Sequence, residues 1–425
     1  MDSKIKQKAI LICVALLLLL GTGIVIVNYR NGNLTSGRRA DTARTEEGSQ
    51  TEAGNQGEHA DEPDAESLKD FLKDPSFFNR EELEPVKPEM VDAVRVTLSC
   101  HSSYRDLRVQ IVDPQGELVT GIPFEVLLNG KDRYADQDKD GFIWIRGLSA
   151  GDYSIELAEV EGFRVPLVPV KVQVTDTIAF RYISDIALMI RQESEINVGA
   201  EDSGSHHSDA DETAPIEILP REEGVTLGVD VSSRNGEIDW TKVQASGVEF
   251  AYIRCGYRGM TTGELIEDAM FRRNVKDAMA VGIKVGIYIS SQAITELEAV
   301  EEASMAICLA REYAVTYPVF IEMESSMGQD GRESRADGLD RDTRTAVIAA
   351  FCETMENAGY RTGVMATASW LDKEIEMRSL NKFYVYLGEY RAKPTYKGTY
   401  VFWRYTEDAW IEGISGRTAV VAGYY

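Results

Sequence analysis

Three carboxylates stand where strand-like segments in the C-terminal half of the chain end. Asp230 lies near the end of the apolar run GVTLGVDV, and Glu322 and Glu324 end the run YPVFIEME. Side chains two residues apart in a strand point to the same side, so Glu322 and Glu324 should face one space. Such a pair can do general acid/base chemistry, in which one carboxyl group donates a proton and the other stays anionic. The alternative is two solvated acids at a strand end.

Residue types and motifs that are absent from 224–425 limit the reactions that these carboxylates could catalyse. They contain no histidine, which excludes Ser-His and Cys-His nucleophile pairs and any His-ligated metal in this region. No Walker-type phosphate loop is present, and no cofactor is implied. The region is rich in aromatic residues that could stack on sugar rings: Tyr257, Tyr288, Trp370, Tyr386, Trp403, Tyr405 and Trp410. Carboxylates flanked by such aromatics are typical of glycoside hydrolysis.

The elements that must position these residues alternate between two patterns. Short β-branched runs such as VEFAYIRCG and KVGIYISS alternate with segments of 3.6-residue periodicity such as DAMFRRNVKDAMAVG. This alternation predicts a parallel sheet covered by helices, either open or closed into a barrel. In a barrel, functional groups belong at the C-terminal ends of the strands.

A series of motifs in residues 224–425 resembles the family 25 glycoside hydrolases. The matching residues, in order, are Gly228, Asp230, Ser232, Ile238, Asp239, Trp240, Phe250, Arg254, Gly256, Tyr257, Gly259, Asp268, Phe271, Asn274, Ala278, Gly282, Gly286, Tyr288, Ser291, Gln292, Ala293, Glu298, Ala299, Tyr317, Pro318, Val319, Trp403, Tyr405, Thr406, Gly413, Ile414 and Gly416. The resemblance implies an irregular (β/α) TIM-like barrel that acts as an N-acetylmuramidase, cleaving the β-1,4 bond after N-acetylmuramic acid in peptidoglycan.

The resemblance also implies roles for individual residues. Glu324 matches the Glu of the family's Asp-x-Glu motif, which serves as general acid, and Asp230 matches the Asp of the first strand. With Glu322, these are the candidate catalytic residues. The candidate substrate-binding residues are Tyr257, Tyr288, Tyr386, Trp403 and Tyr405.

Several residues depart from the family pattern near the expected site. Glu322 stands in place of an Asp, Arg404 in place of the usual Gln, Tyr386 in place of a Trp, and Met365 where a Tyr is common. Residues 417–422 lack a third family carboxylate. Two hypotheses therefore stay open: an active muramidase, or a catalytically impaired protein that binds peptidoglycan. Substrate-assisted and direct-displacement routes are not separated by the sequence.

Residues 91–182 have the two-residue period of β-strands, with turn residues at short intervals, which predicts an all-β sandwich domain over 91–191. They resemble the prealbumin-like Cna-B or SpaA-type modules of Gram-positive surface proteins. The residues that carry this resemblance are Asp140, Gly141, Phe142, Trp144, Gly147, Leu148, Gly151, Tyr153, Ile155, Glu161, Gly162 and Phe163. Many such modules carry a Lys–Asn isopeptide assisted by a Glu, but Leu157 stands at the Glu position.

Asp136, Asp138 and Asp140, followed by Gly141, match the first half of a calcium loop. The residue at loop position 12 is Gly147, where an EF-hand needs a Glu. A solvated hairpin turn explains the same residues.

The remaining segments predict how the protein is attached and connected. Residues 1–8 form a predicted cytoplasmic tail, and the apolar run 9–27 is long enough for a transmembrane anchor, with a cleaved signal peptide as the competing interpretation. Residues 28–90 and 192–223 are predicted acidic linkers. The stretch 31–90 holds fifteen acids and seven bases, and 192–223 holds ten acids and one base. We therefore expect a multidomain, single-pass membrane protein with extracellular C-terminal domains.

The charge balance and the cysteines limit the possible partners. With 70 acids against 45 Lys and Arg, the chain lacks the basic face that nucleic-acid binding needs. The predicted partners are peptidoglycan strands and, through residues 9–27, a lipid bilayer.

Cys308 and Cys352 lie in helix-like segments and are expected to be small buried hydrophobes, although a disulfide bridge between them stays open.

Overall fold

A computed structural model describes residues 93–196, 198–202, 223–326 and 333–425 of the 425-residue chain. The predicted tail 1–8, anchor 9–27 and linker 28–90 lie outside these residues. Among the described residues, no helix combines the length and the apolar character needed to cross a membrane.

The first part of the described chain folds into antiparallel sheets that share one hydrophobic core. Strands β2, β3 and β6 form one sheet, and β5, β4, β7 and β9 form the other, while the short strands β1 and β8 pair with each other. Their bounds are β1 Val94–Arg95, β2 Thr97–His101, β3 Asp106–Val112, β4 Glu125–Leu128, β5 Asp132–Ala135, β6 Phe142–Arg146, β7 Gly151–Leu157, β8 Phe163–Arg164 and β9 Val170–Val174. Inward-facing residues of both sheets, such as Val109, Val126 and Ile155, are fully buried in the shared core.

In the turn between β5 and β6, aspartate side chains accept hydrogen bonds from backbone groups of the same turn. The two carboxylate oxygens of Asp136 accept hydrogen bonds from the backbone N–H groups of Lys139 at 2.8 Å and Gly141 at 2.9 Å. Asp140 accepts a bond from the N–H of Phe142 at 2.8 Å. Candidate ligand oxygens of Asp136, Asp138 and Asp140 lie within 4.8 Å of one another. The bonds observed are those of a turn in which aspartate side chains bind nearby backbone groups. The turn is not the hairpin that the sequence suggests, because β5 and β6 belong to different sheets.

The chain that follows β9 leaves the β-module and packs on the C-terminal domain. Ile183 and Ile186 belong to the hydrophobic core of that domain, and the N–H of Ile183 donates to the hydroxyl of Ser304 at 3.0 Å. Arg108 of β3 is buried and pairs with Asp185 at 2.8 Å, which ties the β-module to this connection. A buried ion pair therefore joins the β-module to the connection, which itself packs on the C-terminal domain.

The C-terminal domain is a closed barrel of eight strands. Going round the barrel, the order is β12, β11, β19, β18, β17, β16, β15 and β14, and β14 pairs again with β12. All neighbours are parallel except β19, which runs antiparallel to both β11 and β18. The bounds are β11 Thr226–Val231, β12 Phe250–Arg258, β14 Lys284–Ser290, β15 Val319–Glu322, β16 Thr362–Thr367, β17 Tyr384–Gly388, β18 Phe402–Ala409 and β19 Thr418–Gly423. The predicted barrel is thus confirmed, and it is irregular because one strand is reversed.

Helices cover the outside of the barrel, and short strands extend it beside β12. The helices are α1 Val198–Glu201, α2 Trp240–Ala245, α3 Phe271–Ala280, α4 Glu296–Ala310, α5 Arg341–Asn357 and α6 Ala368–Lys373, and the added strands are β10 Ile190–Gln192 and β13 Leu265–Glu267. Side-chain caps begin the two longest helices: Thr295 accepts from the N–H of Glu298 at 3.2 Å, and Asp340 accepts from that of Thr343 at 2.7 Å.

Aromatic side chains fill the barrel interior below the strand ends. Phe250, Tyr252, Phe320 and Phe402 are fully buried there and contact one another edge-on or tilted. Gly228 makes this packing possible, because a Cβ at that position would collide with the ring of Phe250. The aromatic floor leaves polar residues to occupy the C-terminal mouth of the barrel.

Residues 192–202 differ from the linker predicted over 192–223. β10 pairs in parallel with β13, a 3₁₀ turn follows at Glu193–Glu195, and α1 comes next. Glu193, Glu201 and Asp202 are buried. The predicted self-repelling, solvated linker does not describe these three acids. Glu193 and Asp202 pair with Arg254, and Glu201 accepts hydrogen bonds from the backbone of Thr261 and Thr262. Residues 203–222 lie outside the described residues.

Cys308 and Cys352 carry free thiols, as do Cys100 and Cys255. Cys352 is fully buried in the core, and Cys308 is half-buried against it. The interpretation of this pair as small hydrophobic side chains agrees with this arrangement, and the bridge that the sequence left open is absent from the structure.

Candidate active site

The three predicted carboxylates converge at the C-terminal mouth of the barrel. Asp230 is on β11, Glu322 is the last residue of β15, and Glu324 follows two residues later. All three are buried, with relative exposures of 6%, 9% and 7%. Phe320 points into the barrel interior, whereas Ile321 and Met323 pack in the helix-facing core. The two-residue period therefore brings Glu322 and Glu324 to the same side, as predicted.

Arg404 of β18 lies at the centre of these carboxylates. One terminal guanidinium nitrogen is 3.4 Å from Asp230 Oδ2 and 3.3 Å from Glu322 Oε1, and the other is 3.1 Å from Glu324 Oε1. The same side chain approaches Glu407 at 3.7 Å. A guanidinium has several donors in a fixed plane and can satisfy several carboxylates at once. Arg404 thus compensates the negative charge that the site concentrates.

Hydroxyl groups orient two of the carboxylates. Ser290 Oγ donates to Glu322 Oε2 at 2.6 Å, across the register pair of β14 and β15. The phenol of Tyr386 donates to Asp230 Oδ2 at 3.0 Å. The bond from Tyr386 favours the ionised form of Asp230 and so lowers its pKa.

Burial and neighbouring charges give the carboxyl groups of Glu324 and Asp230 different pKa values. Burial raises the pKa of Glu324 to about 8; Arg404 opposes this rise, and the nearby Glu322 adds to it. Burial also raises the pKa of Asp230, to about 6, again opposed by Arg404 and increased by Glu322. At neutral pH Glu324 therefore holds a proton, while Asp230 is mainly an anion. A protonated and an ionised carboxyl group side by side are the pair that acid/base catalysis needs.

A narrow cavity leads to this cluster. Its lining includes Glu322, Glu324, Arg404, Tyr257 and Tyr288, and its volume is about 60 Å³. That volume holds a few water molecules and is far below the several hundred Å³ of an ordinary ligand pocket. A sugar ring therefore cannot enter until a wall of the cavity moves.

The predicted substrate-binding aromatics divide into three groups. Tyr257 and Tyr288 line the cavity, and Arg254 stacks over the Tyr257 ring at 4.7 Å. Tyr386 is fully buried in the barrel interior and contacts Asp230, so it supports a carboxylate and does not reach the cavity.

Trp403 and Tyr405 do not line the cavity, contrary to the prediction. They belong to the core between the barrel and its helices, with relative exposures of 5% and 2%. The indole N–H of Trp403 donates to the backbone oxygen of Glu389 at 2.9 Å. The two-residue period of β18 explains this placement, because Arg404 points inward and its neighbours must then point outward.

Several residues of the cavity wall are not singled out by the sequence interpretation: Glu201, Asp202, Arg234, Arg258, Ser290 and Ser326. Others in the wall are identified there only as matches to the family motifs, namely Ser232, Arg254, Ser291 and Gln292, and Arg404 only as a departure from the family pattern. Strand alternation next to Trp403 would have placed Arg404 inside the barrel. Glu201 and Asp202 gave no local signal, because only tertiary pairing distinguishes them from a solvated acidic stretch.

Residues 229–414 match the model of glycosyl hydrolases family 25. The matched residues include all three carboxylates and Arg404. The autolytic lysozyme of Clostridium acetobutylicum is 23% identical over 190 residues, which make up 44% of this chain and 53% of the relative. The chain thus spans about half the length of that curated relative.

Solved structures resemble about half of the chain. The modular autolysin LytC from Streptococcus pneumoniae is 27% identical, covers 48% of each chain and has a TM-score of 0.42. A bacterial lysozyme from Streptomyces coelicolor is 22% identical and covers 47% of this chain and 92% of its own, with a TM-score of 0.39.

Proposed function

We propose that residues 229–414 form a glycoside hydrolase of the muramidase type that cleaves the β-1,4 bond of peptidoglycan glycan strands. The observation that carries this proposal is the convergence of buried Glu324, Glu322 and Asp230 on Arg404 at the barrel mouth, where burial raises the pKa of Glu324 to about 8. The family match and the similarity to an autolytic lysozyme support the substrate class.

In this mechanism Glu324 is the general acid. Its proton passes to the glycosidic oxygen as the bond to the anomeric carbon breaks, which leaves an oxocarbenium-like centre. Glu322, oriented by Ser290, orients the substrate's own acetamido group or a water molecule against that centre. Asp230 adds negative charge that stabilises the developing cation. Tyr257 and Tyr288 contact the sugar from the cavity wall.

Product analysis tests which bond is cut. Purified peptidoglycan is digested with the full-length protein, the new reducing ends are reduced with borohydride, and the products are identified by mass spectrometry. Cleavage after N-acetylmuramic acid gives reduced muramic acid at the new ends. Reduced glucosamine at those ends would contradict the muramidase proposal and indicate the other β-1,4 bond of the strand.

One observation favours a second function, a peptidoglycan-binding protein that does not turn over. Arg404 contacts both Glu322 and Glu324, so the acid and its partner are held by a cation in place of a substrate. Sedimentation with insoluble peptidoglycan tests this candidate. A protein that sediments with peptidoglycan and releases no reducing ends has the binding function. A protein that neither sediments nor releases reducing ends has neither the binding nor the hydrolase function.

We also propose the cellular setting. Residues 9–27 would anchor the chain in the cell membrane with residues 1–8 in the cytoplasm, and the β-module, as a Cna-B-like unit, would space the barrel from the bilayer. Deletion of residues 9–27 is expected to move the protein from the membrane fraction to the soluble fraction. Retention of the deleted protein in the membrane fraction would contradict the anchor.

A further inference from the structure

Residues 193–196 and 198–202, here named the strap, lie against the cavity that leads to the carboxylates. Glu193 accepts hydrogen bonds from the N–H of Ala269 at 2.9 Å and from Ser233 Oγ at 3.1 Å. Glu201 Oε2 accepts from the backbone N–H groups of Thr261 at 3.2 Å and Thr262 at 3.1 Å. Glu201 and Asp202 then form part of the cavity wall.

The strap is attached differently from the chain before it. Ile183 and Ile186 are buried in the barrel's hydrophobic core, with Ile190 packed against it. Of the strap's apolar residues, Ile196 is half-buried and is not part of that core, and Val198 is 40% exposed. The described strap is therefore held mainly by hydrogen bonds and ion pairs, which other polar groups can replace. The preceding chain at Ile183, Ile186 and Ile190 is instead fixed by burial of its apolar side chains.

Asp202 makes the contacts that face the cavity. Its two oxygens pair with the two terminal nitrogens of Arg254 at 3.0 and 2.9 Å, and one of them also accepts from Arg234 at 2.6 Å. This parallel two-bond geometry is the one in which a guanidinium binds a carboxylate best. Asp202 thus occupies a ready-made site for a carboxylate.

Arg254 decides what can take the place of Asp202. It is 3% exposed and also contacts Asp268 at 2.9 Å, Ser233 at 3.3 Å and Glu193 at 3.6 Å. Removing one partner from a buried ion pair leaves charge uncompensated, which is strongly unfavourable. Arg234 has a side chain that is 43% exposed, so an incoming group can reach it from solvent. Another carboxylate is therefore the replacement that preserves both pairings.

We propose that Arg234 and Arg254 form a carboxylate-binding site in the cleft wall, that Asp202 fills it in this structure, and that the carboxylate of an acidic sugar displaces Asp202. The inference rests on the proposed function: in a glycan strand, N-acetylmuramic acid residues that carry no stem peptide have a free carboxylate on their lactyl group. Displacement of the strap also enlarges the cavity of about 60 Å³, so ligand recognition and opening of the cleft are one event.

Titration calorimetry with two monosaccharides tests the site. N-acetylmuramic acid and N-acetylglucosamine differ by the lactyl carboxylate, and each is titrated into the full-length protein. Asp202→Asn keeps the side-chain shape and removes the competing charge, so affinity for N-acetylmuramic acid is expected to rise about tenfold while that for N-acetylglucosamine stays unchanged. Glu195→Gln is the matched control, because Glu195 is an exposed strap acid that pairs with Arg191 away from the cavity. Unchanged or weaker binding of N-acetylmuramic acid by a folded Asp202→Asn variant would overturn the proposal.

Hydrogen exchange on the wild-type protein gives a second test that needs no variant. The amides of Thr261 and Thr262 donate to Glu201 and should lose protection when N-acetylmuramic acid displaces the strap. N-acetylglucosamine should leave them unchanged. Equal protection with both sugars at saturation would overturn the strap displacement. Neither test depends on turnover, so the failure of this inference is distinguishable from the failure of the hydrolase proposal.

Discussion

Arg404 donates a hydrogen bond to Glu324 at 3.1 Å, and this contact lies at the centre of the barrel mouth. The arginine stands where the family resemblance puts a glutamine, and it holds the proposed acid together with Glu322. A substrate's glycosidic oxygen would have to compete with this cation for Glu324. The pair therefore limits how readily the acid can act.

Arg404→Gln should release Glu324 and raise turnover of peptidoglycan by about tenfold at the optimum pH. Arg404 lowers the pKa of both Glu324 and Asp230, so the variant's pH profile should also move to higher pH. The measurement is kcat/KM against pH, with folding checked by circular dichroism. Arg417→Gln is the control, because Arg417 pairs with Asp408 at the surface. Lower activity with an unmoved profile in folded Arg404→Gln would contradict this role.

The wild-type pH profile should be bell-shaped. Activity requires ionised Asp230, whose pKa is about 6, and protonated Glu324, whose pKa is about 8. Turnover should therefore rise through about pH 6 and fall through about pH 8. Because the groups interact, the apparent values belong to the cluster. Asp230→Asn should remove the acid limb and keep the alkaline one; a profile that keeps rising above pH 9 would exclude Glu324 as the acid.

Glu324 should also make stability depend on pH. Its pKa is raised from 4.5 to about 8, so the folded state keeps a proton that the unfolded state releases between these values. The stabilisation is complete below about pH 4.5 and is lost as pH rises through about 8. Glu324→Gln removes this dependence and should be more stable than wild type at pH 9, measured by urea unfolding. Equal pH slopes for the two proteins would show that Glu324 ionises freely when folded.

Trp403→Ala should act on stability and not on sugar binding. The indole is buried between the barrel and its helices, so its removal should lower the free energy of unfolding by about 3–5 kcal/mol. Tyr257→Phe is the contrasting variant, because residue 257 lines the cavity and phenylalanine keeps the aromatic ring. Thermal unfolding and wall sedimentation together separate the two effects. A Trp403→Ala variant of wild-type stability that no longer sediments would restore Trp403 to the sugar site.

The sequence supports the barrel and its carboxylates because both depend on local periodicity. Alternation predicts strands and helices, and a spacing of two places Glu322 beside Glu324. The same rule, applied to β18, would have turned Trp403 and Tyr405 away from the cavity once Arg404 was placed inside. The strap is not predictable from the sequence. Glu193, Glu201 and Asp202 differ from linker acids only in the groups, distant in sequence, that bind them in the folded protein.

Turnover of purified, insoluble peptidoglycan by wild type and Glu324→Gln tests the central claim most directly. Wild type should release reducing ends, and Glu324→Gln should release them at least about a hundredfold more slowly while sedimenting equally with the wall. Glu412→Gln, a surface change, serves as the control and should match wild type. Equal release by wild type and Glu324→Gln would contradict the account.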